Sequence, residues 1–241
     1  MNIAIIPARG GSKRIPRKNI KAFCGQPMIA WSIQAAIKSR CFDRIIVSTD
    51  DVEIADVAKA NGAEIPFLRP DELSNDHAGT IPVVAHAIDW MNTSGCEINN
   101  ACCIYATAPF VLATDLQNGL ALLESSGADY AFSVTSFPFP IQRAVRITAE
   151  NRVRMFQPEY FNTRSQDLEE AWHDAGQFYW GKANAWLLHK QVFSEDAAPI
   201  KLPRHRVQDI DTQEDWDRAS WLFKAWKNKS ESEHGYVEGE V

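Results

Sequence analysis

Two short stretches hold most of the residues that could do chemistry. The first is IIPARGGSKRIPRKNI (Ile5–Ile20), where an apolar run gives way to Gly10 and Gly11 amid Arg9, Lys13, Arg14, Arg17 and Lys18. Paired glycines let a backbone turn tightly and bring its N–H groups close to an anion, and the cations add charge. A polyphosphate suits that combination. A solvated basic turn has the same composition; placement directly after a buried first strand favours phosphate, because ligands of open parallel sheets bind beyond the carboxyl ends of the strands. The second stretch is QDIDTQEDW (Gln208–Trp216), with Asp209 and Asp211 two apart. In extended chain such residues point the same way. Two carboxylates on one side suit a divalent cation such as Mg²⁺, which takes one or two of them plus phosphate and water oxygens. The simpler reading is that these acids favour the helix N-terminus that follows.

Other chemistries find no pattern. The basic loop has neither G-x-x-x-x-G-K-[ST] nor G-x-G-x-x-G, so the common nucleotide-binding loops are not indicated. A near match, GQFYWGKA (Gly176–Ala183), lacks the terminal hydroxyl, and Phe178, Tyr179 and Trp180 would crowd a phosphate. Cys24, Cys41, Cys96, Cys102 and Cys103 form no C-x-x-C pair and are odd in number, which argues for a reduced, cytoplasmic protein without zinc or a disulfide framework. The six histidines lack H-E-x-x-H spacing. A net charge of -6 disfavours non-specific nucleic-acid binding, so the basic cluster is local. No run approaches the roughly 20 apolar residues of a membrane span, and the N-terminal basic residues follow the apolar run instead of preceding it as in a signal peptide.

The elements that must position these residues alternate. Strands are expected at Asn2–Pro7, Asp43–Asp50, Ala63–Leu68 and Ala101–Ala106. Helices are expected from Pro27 through Ile29, Ile33, Ala36 and Ile37, over Val52–Ala60, around Ile81–Met91, and over Asp115–Ser126. This predicts an α/β fold, a mostly parallel sheet with helices on both faces. After a strand at Tyr130–Ser136 the rhythm changes, and residues 138–175 read as an inserted arm within a domain spanning 1–229. Regular structure returns at Gln177–Trp180 and in a helix from Lys182. Thr212 to Asp215 has capping-box spacing before a last helix with Trp216, Ala219, Phe223 and Trp226 on one face. Residues 230–241, SESEHGYVEGEV, have little to bury and are expected to be a disordered acidic tail.

IPARGGSKRIPRKNI, FDRIIVSTDD, FLRPDELSNDHAGT and DIDTQEDW, in this order and spacing, resemble the cytidylyltransferases that make CMP-sugar acids. CMP-sialic acid synthetases and CMP-3-deoxy-manno-octulosonate synthetases are members. The similarity runs from about Met1 to Trp226. YATAPFV (Tyr105–Val111) departs from the sialic acid branch, which has Gln-Pro-Thr-Ser-Pro-Leu-Arg there. HDAG (His173–Gly176) stands in place of Arg-Pro-Asn-Gly. FNTRSQDLEEAWHDAGQFYWG (Phe161–Gly181) resembles the branch that uses pseudaminic acid.

The resemblance implies a Rossmann-like nucleotidyltransferase fold whose arm makes a homodimer. It implies CTP and a nonulosonic acid as substrates and Mg²⁺ as cofactor, with no nucleic acid or membrane as partner. The anomeric hydroxyl of the sugar acid would attack the α-phosphate of CTP, and pyrophosphate would leave. Matching positions are Arg9, Gly10, Gly11, Ser12 and Lys18 around the triphosphate, and Asn19, Arg69 and Asp76 elsewhere on the nucleotide. Asp209 and Asp211 match metal ligands, with Lys18 and Asp211 as the catalytic pair. On the sugar side the resemblance points to Tyr105, Gln177 and Tyr179, with Arg143 or Arg164 for the carboxylate. Tyr105, Phe178, Tyr179 and Trp180 would offer apolar surface to a deoxy, methyl-bearing sugar.

Overall fold

Strand β1 (Asn2–Pro7) shows why the sheet is buried on both sides. Ala4 and Ile6 enter one core and Ile3 and Ile5 another, all fully buried. An apolar run of period two with no polar face can only sit between two layers of helices. The computed structural model describes residues 1–235. After β1 come a tight hairpin of β2 (Ala22–Phe23) and β3 (Gln26–Pro27), helix α1 (Met28–Ser39), β4 (Arg44–Ser48) and α2 (Val52–Ala60). Then follow α3 (Thr80–Thr93), β5 (Asn100–Ile104), α4 (Ala113–Ser126) and β6 (Tyr130–Ser136). The hairpin β7 (Val145–Ile147) and β8 (Val153–Met155) precedes β9 (Trp172–Lys182), α5 (Ala183–Leu187), β10 (Ala197–Lys201) and α6 (Gln213–Gly235).

The main sheet has the order β10-β6-β9-β5-β1-β4. β1 runs parallel to β4 and β5, and β10 parallel to β6; β9 lies antiparallel between β5 and β6. Residues of α1, α2 and α4 cover one face, and residues of α3 and α5 the other. The expected mostly parallel α/β fold is what the chain adopts. A third core joins the two chemical stretches: Ile15 and Phe23 near the basic loop pack with Ile210 and with Trp216, Ala219 and Phe223 of α6.

Several expectations need correction. Ala63–Leu68 is not a strand; only Glu64 bridges to Ile46. Glu64 donates to Ile45, but the next residue on that side is Pro66, which has no N–H to extend the ladder. Ile37 is half exposed instead of completing the α1 stripe. β9 is far longer than Gln177–Trp180, and β10 was not expected at all. Its sequence, AAPIK, is short and contains Pro199, which an edge strand tolerates. The arm contains the β7–β8 hairpin and short turns, and its expected end overlaps the start of β9. The last helix begins as anticipated: Thr212 Oγ1 accepts from Asp215 N–H at 3.2 Å, and the Asp215 carboxylate accepts from Thr212 N–H at 2.8 Å. It continues to Gly235 where a disordered tail was expected, and residues 236–241 lie outside the described residues. Among the described residues no helix is long and apolar enough to cross a membrane.

Candidate active site

The basic loop leaves β1 at its carboxyl end and forms one wall of a cleft of about 580 Å³. Arg9, Ser12, Lys13, Arg14, Lys18 and Asn19 line it from the loop; Arg69, Asp76, Tyr105 and Asp211 face them from elsewhere. The near-match at Gly176–Ala183 runs along β9 to the first residue of α5, with Phe178 and Trp180 fully buried, and forms no loop.

The two glycines do different things. A Cβ on Gly10 would lie 2.6 Å from the Asp51 carboxylate, and its N–H donates to Asp50 Oδ1 at 2.9 Å. Gly10 thus seats the loop against the start of α2. Gly11 has open space around it. Arg17 turns away from the cleft with a left-handed φ of 56° and pairs with Asp51 at 2.5 Å and with Glu53. That guanidinium, together with the Ile54 N–H, holds the Asp51 carboxyl down at about 2. Asn19 is buried and donates to the Arg9 carbonyl at 3.0 Å, bracing the loop across its base.

Each remaining loop cation meets a carboxylate. Arg9 and Lys13 converge on Asp76 at 2.7 and 2.5 Å, and between them, Lys13 foremost, they hold its carboxyl at about 2. Arg14 and Lys18 converge on Asp211 at 2.8 and 3.2 Å, and Lys18 also donates to the Ile210 carbonyl at 2.6 Å. Arg69 lies buried beneath the cleft, donating to the Ser48 hydroxyl and carbonyl and to the Leu73 carbonyl. Burial lowers its guanidinium to about 10, against the pull of Asp50.

Asp209 and Asp211 flank Ile210, which is fully buried in the third core. The alternation read from the sequence therefore holds, and both carboxylates project away from that core. Asp211 lines the cleft and Asp209 the neighbouring cavity. Loss of hydration among the surrounding groups and then the charge of Asp211 raise the Asp209 carboxyl above its usual range, against the opposing pull of Lys18. Adjacent carboxylates with such a mutual penalty form a donor set that a divalent cation would relieve. Among the described residues no three His, Cys, Asp or Glu side chains make a ready cage. A cation here would rely on ligand oxygens, as Mg²⁺ commonly does.

A buried ion pair fixes this segment. Arg206 donates to Asp115 through both terminal nitrogens, at 2.6 and 3.0 Å, and to the Phe110 carbonyl at 3.2 Å. Asp115 also accepts from Leu112 N–H at the start of α4, and Gln177 Nε2 donates to the Arg206 carbonyl at 2.5 Å. The chain just ahead of Asp209 is thereby tied to the loop after β5 and to β9.

Tyr105 is the partition between the cleft and two further cavities. Its hydroxyl lies 3.2 Å from the Thr80 hydroxyl. Beyond it, Tyr179 donates to Asp174 at 2.5 Å, and burial raises both phenols above the ordinary value. One cavity is mostly apolar, walled by Ile81, Pro82, Trp186, Val192 and Phe193. The other contains Thr135, His173, Asp174, Arg204, Asp209 and Arg218.

The structure therefore gathers Arg9, Ser12, Lys18, Asn19, Arg69, Asp76, Tyr105 and Asp211 around one cleft, with Gly10 and Gly11 in its wall-forming loop. Tyr179 and Asp209 line adjoining cavities. Others lie elsewhere. Gln177 is buried with its amide nitrogen committed to the Arg206 carbonyl. Arg143 donates to the Thr163 carbonyl, and Arg164 pairs with Asp167 at 2.7 Å, both out on the arm. Phe178 and Trp180 face the opposite core from Tyr179, so they offer no surface to a ligand. Asp174 and Arg204 were missed as site residues. Asp174 stood in the HDAG departure, and Arg204 in a basic run just ahead of the aspartate pair.

The family model for cytidylyltransferases matches residues 3–229. The chain belongs to the cytidylyltransferase family. It is an enzyme of nucleotidyl transfer, as the motifs implied. A pseudaminic acid cytidylyltransferase of Campylobacter jejuni strain 81-176 is 44% identical over 92% of this chain and 96% of its own. A two-function Helicobacter pylori protein is 37% identical over 86% of this chain and 40% of its own. It is a pseudaminic acid cytidylyltransferase and UDP-2,4-diacetamido-2,4,6-trideoxy-beta-L-altropyranose hydrolase. The fold is shared with a CMP:2-keto-3-deoxy-manno-octonic acid synthetase solved with CTP, at a TM-score of 0.67 and 16% identity over 93% of this chain and 98% of that one.

Proposed function

We propose that this enzyme joins CMP from CTP to the anomeric hydroxyl of a nonulosonic acid, with pseudaminic acid the preferred substrate, and releases pyrophosphate. Mg²⁺ is the cation and a homodimer the working unit. The observation that carries this reading is the meeting, at Tyr105, of a cation-lined cleft ending in Asp211 with a mostly apolar cavity. A triphosphate suits the first. A sugar acid with methyl and acylamino groups suits the second, where Ile81, Pro82, Val192 and Phe193 would cover apolar substituents. Two relatives that are 44% and 43% identical over 92% of this chain are named for pseudaminic acid, whereas relatives named for legionaminic acid and N-acylneuraminate are 30% and 27% identical.

Chemistry of this kind needs position and charge neutralisation more than covalent help. Arg9, Lys13, Arg14 and Lys18 exchange their carboxylate partners for phosphate oxygens, and the open backbone at Gly11 lets the chain approach them. Bound at Asp209 and Asp211, Mg²⁺ would supply further neutralisation of phosphate charge. Asp211, released as Arg14 and Lys18 turn to the phosphates, accepts the proton of the attacking hydroxyl. The arm's exposed Phe139, Ile147, Val153, Phe156 and Phe161 give a second subunit apolar surface to cover. The enzyme's five free cysteines suit the reducing cytoplasm.

Pyrophosphate release from CTP, measured with pseudaminic acid and with N-acetylneuraminic acid under matched conditions, tests the substrate. Both acids present the same carboxylate and anomeric carbon, so only the surrounding groups distinguish them. The expected preference for pseudaminic acid is roughly 100-fold or more in kcat/KM. Faster turnover of N-acetylneuraminic acid overturns the substrate assignment while leaving the reaction class intact.

A further inference from the structure

The reading above leaves the sugar carboxylate without a partner, because Arg143 and Arg164 lie out on the arm and line none of the cavities around Tyr105. Chemistry restricts where that partner can be. In the ring form of a 2-keto sugar acid, the carboxylate and the attacking hydroxyl sit on the same carbon. Whatever holds the carboxylate must therefore lie beside the group that receives the hydroxyl proton, next to the Asp209–Asp211 segment.

The cavity of about 620 Å³ that contains Asp209 meets this requirement. Three basic residues line it: His173, Arg218 and Arg204. Arg218 is paired with Glu214 at 3.2 Å. His173 turns Nδ1 toward the Asp174 carbonyl at 2.8 Å and sets its ring against Phe137. Arg204 has an anchored backbone, since its carbonyl accepts from Val207 N–H at 3.2 Å and Arg206 nearby is locked to Asp115. Its guanidinium, in contrast, has no hydrogen-bond or ion-pair partner among the described residues. The cations of the neighbouring cleft all have partners.

We propose that Arg204 binds the carboxylate of the sugar acid, in the cavity that joins the nucleotide cleft at Tyr105. This rests on the nonulosonic acid reading and adds its missing anion partner. Asp174 and Asp209 line the same cavity. An entering carboxylate is repelled by both unless a cation receives it, and a planar fork of donors matches a carboxylate in two places at once.

The test uses the full chain with Arg204→Met and Arg204→Lys, CTP, pseudaminic acid and, as a competitor, pseudaminic acid methyl ester. Losing a hydrogen-bonded charge partner raises the sugar KM roughly 10- to 100-fold. The KM for CTP, and kcat at saturating sugar, stay within about twofold. Arg204→Lys keeps the charge and recovers part of the loss. Wild type binds the acid more tightly than the ester; Arg204→Met binds the two alike, a result that misfolding cannot mimic. An unchanged sugar KM in Arg204→Met, or undiminished preference for acid over ester, overturns the proposal and leaves the substrate reading standing. No turnover of any nonulosonic acid by wild type overturns both.

Discussion

The nucleotide cleft and the cavities behind Tyr105 handle charge in opposite ways. In the cleft, Arg9 and Lys13 share Asp76, and Arg14 and Lys18 share Asp211. Behind Tyr105, Arg204 has no partner among the described residues, and one cavity is mostly apolar. The difference follows from the ligands. A triphosphate carries several negative charges and can displace carboxylates from cations one after another. A sugar acid carries one, and displacing an established ion pair would consume most of what its single contact returns. Cations for a strong anion can be kept neutralised; a cation for a weak one must be left free.

The largest effect is expected where the two regions meet. Asp211→Asn removes the carboxylate that Lys18 and Arg14 converge on and the proton acceptor of the proposed reaction. Turnover should fall by about 10³-fold or more, in line with loss of a key electrostatic group, while circular dichroism and melting show an intact fold. A folded Asp211→Asn enzyme with ordinary activity would remove the aspartate from the mechanism.

Next in size is the strut beneath the junction. The Arg206–Asp115 pair is almost wholly buried. Arg206→Met strands the Asp115 charge and should cost about 3 kcal/mol or more of stability, whereas Arg206→Met with Asp115→Leu should recover much of that loss. Denaturant unfolding of both variants decides it. If the double variant is no more stable than the single one, the cost comes from the lost bonds to Phe110 and not from a stranded charge.

The smallest effect is the most discriminating, because it has two signs. Lys18→Ala should weaken CTP binding about tenfold, while Lys38→Ala, on the exposed end of α1, should not change it. Asp76→Asn should strengthen CTP binding by up to about fivefold at low salt, since Arg9 and Lys13 no longer have to leave an exposed ion pair. Calorimetric titration with CTP reads all three. Weaker binding in Asp76→Asn would make Asp76 a direct nucleotide contact and spoil the contrast between the two regions.

The same contrast explains what could be read from the chain. The cation side of the cleft comes from one contiguous loop behind a fully apolar strand, so Arg9 to Asn19 announced themselves together. Asp209 and Asp211 were legible because a buried Ile210 between them sets the alternation. The far side is assembled from Tyr105, Asp174, Tyr179, Phe193 and Arg204, which only the fold brings together. Phe178 and Trp180 were misplaced for a simple reason: along β9 their neighbour Tyr179 faces the site, so they must face away. Recognising an eleven-residue strand there would have sorted them. Arg143 and Arg164 drew attention as arginines in a polar stretch, yet composition cannot say that a guanidinium already has a carbonyl or carboxylate beside it.

The position of β9 has a consequence for how the chain is made. β6 is apolar and almost entirely buried, and its two sheet neighbours are β9 and β10, both later in the sequence. On a ribosome, β1, β4 and β5 emerge first and can pair with one another. β6 then follows with both edges unsatisfied until the whole arm and Trp172–Lys182 have been synthesised. Such an interval leaves an unpaired apolar strand open to other chains. The nascent protein is therefore most vulnerable to misassembly after its first three strands have paired and before the arm is complete.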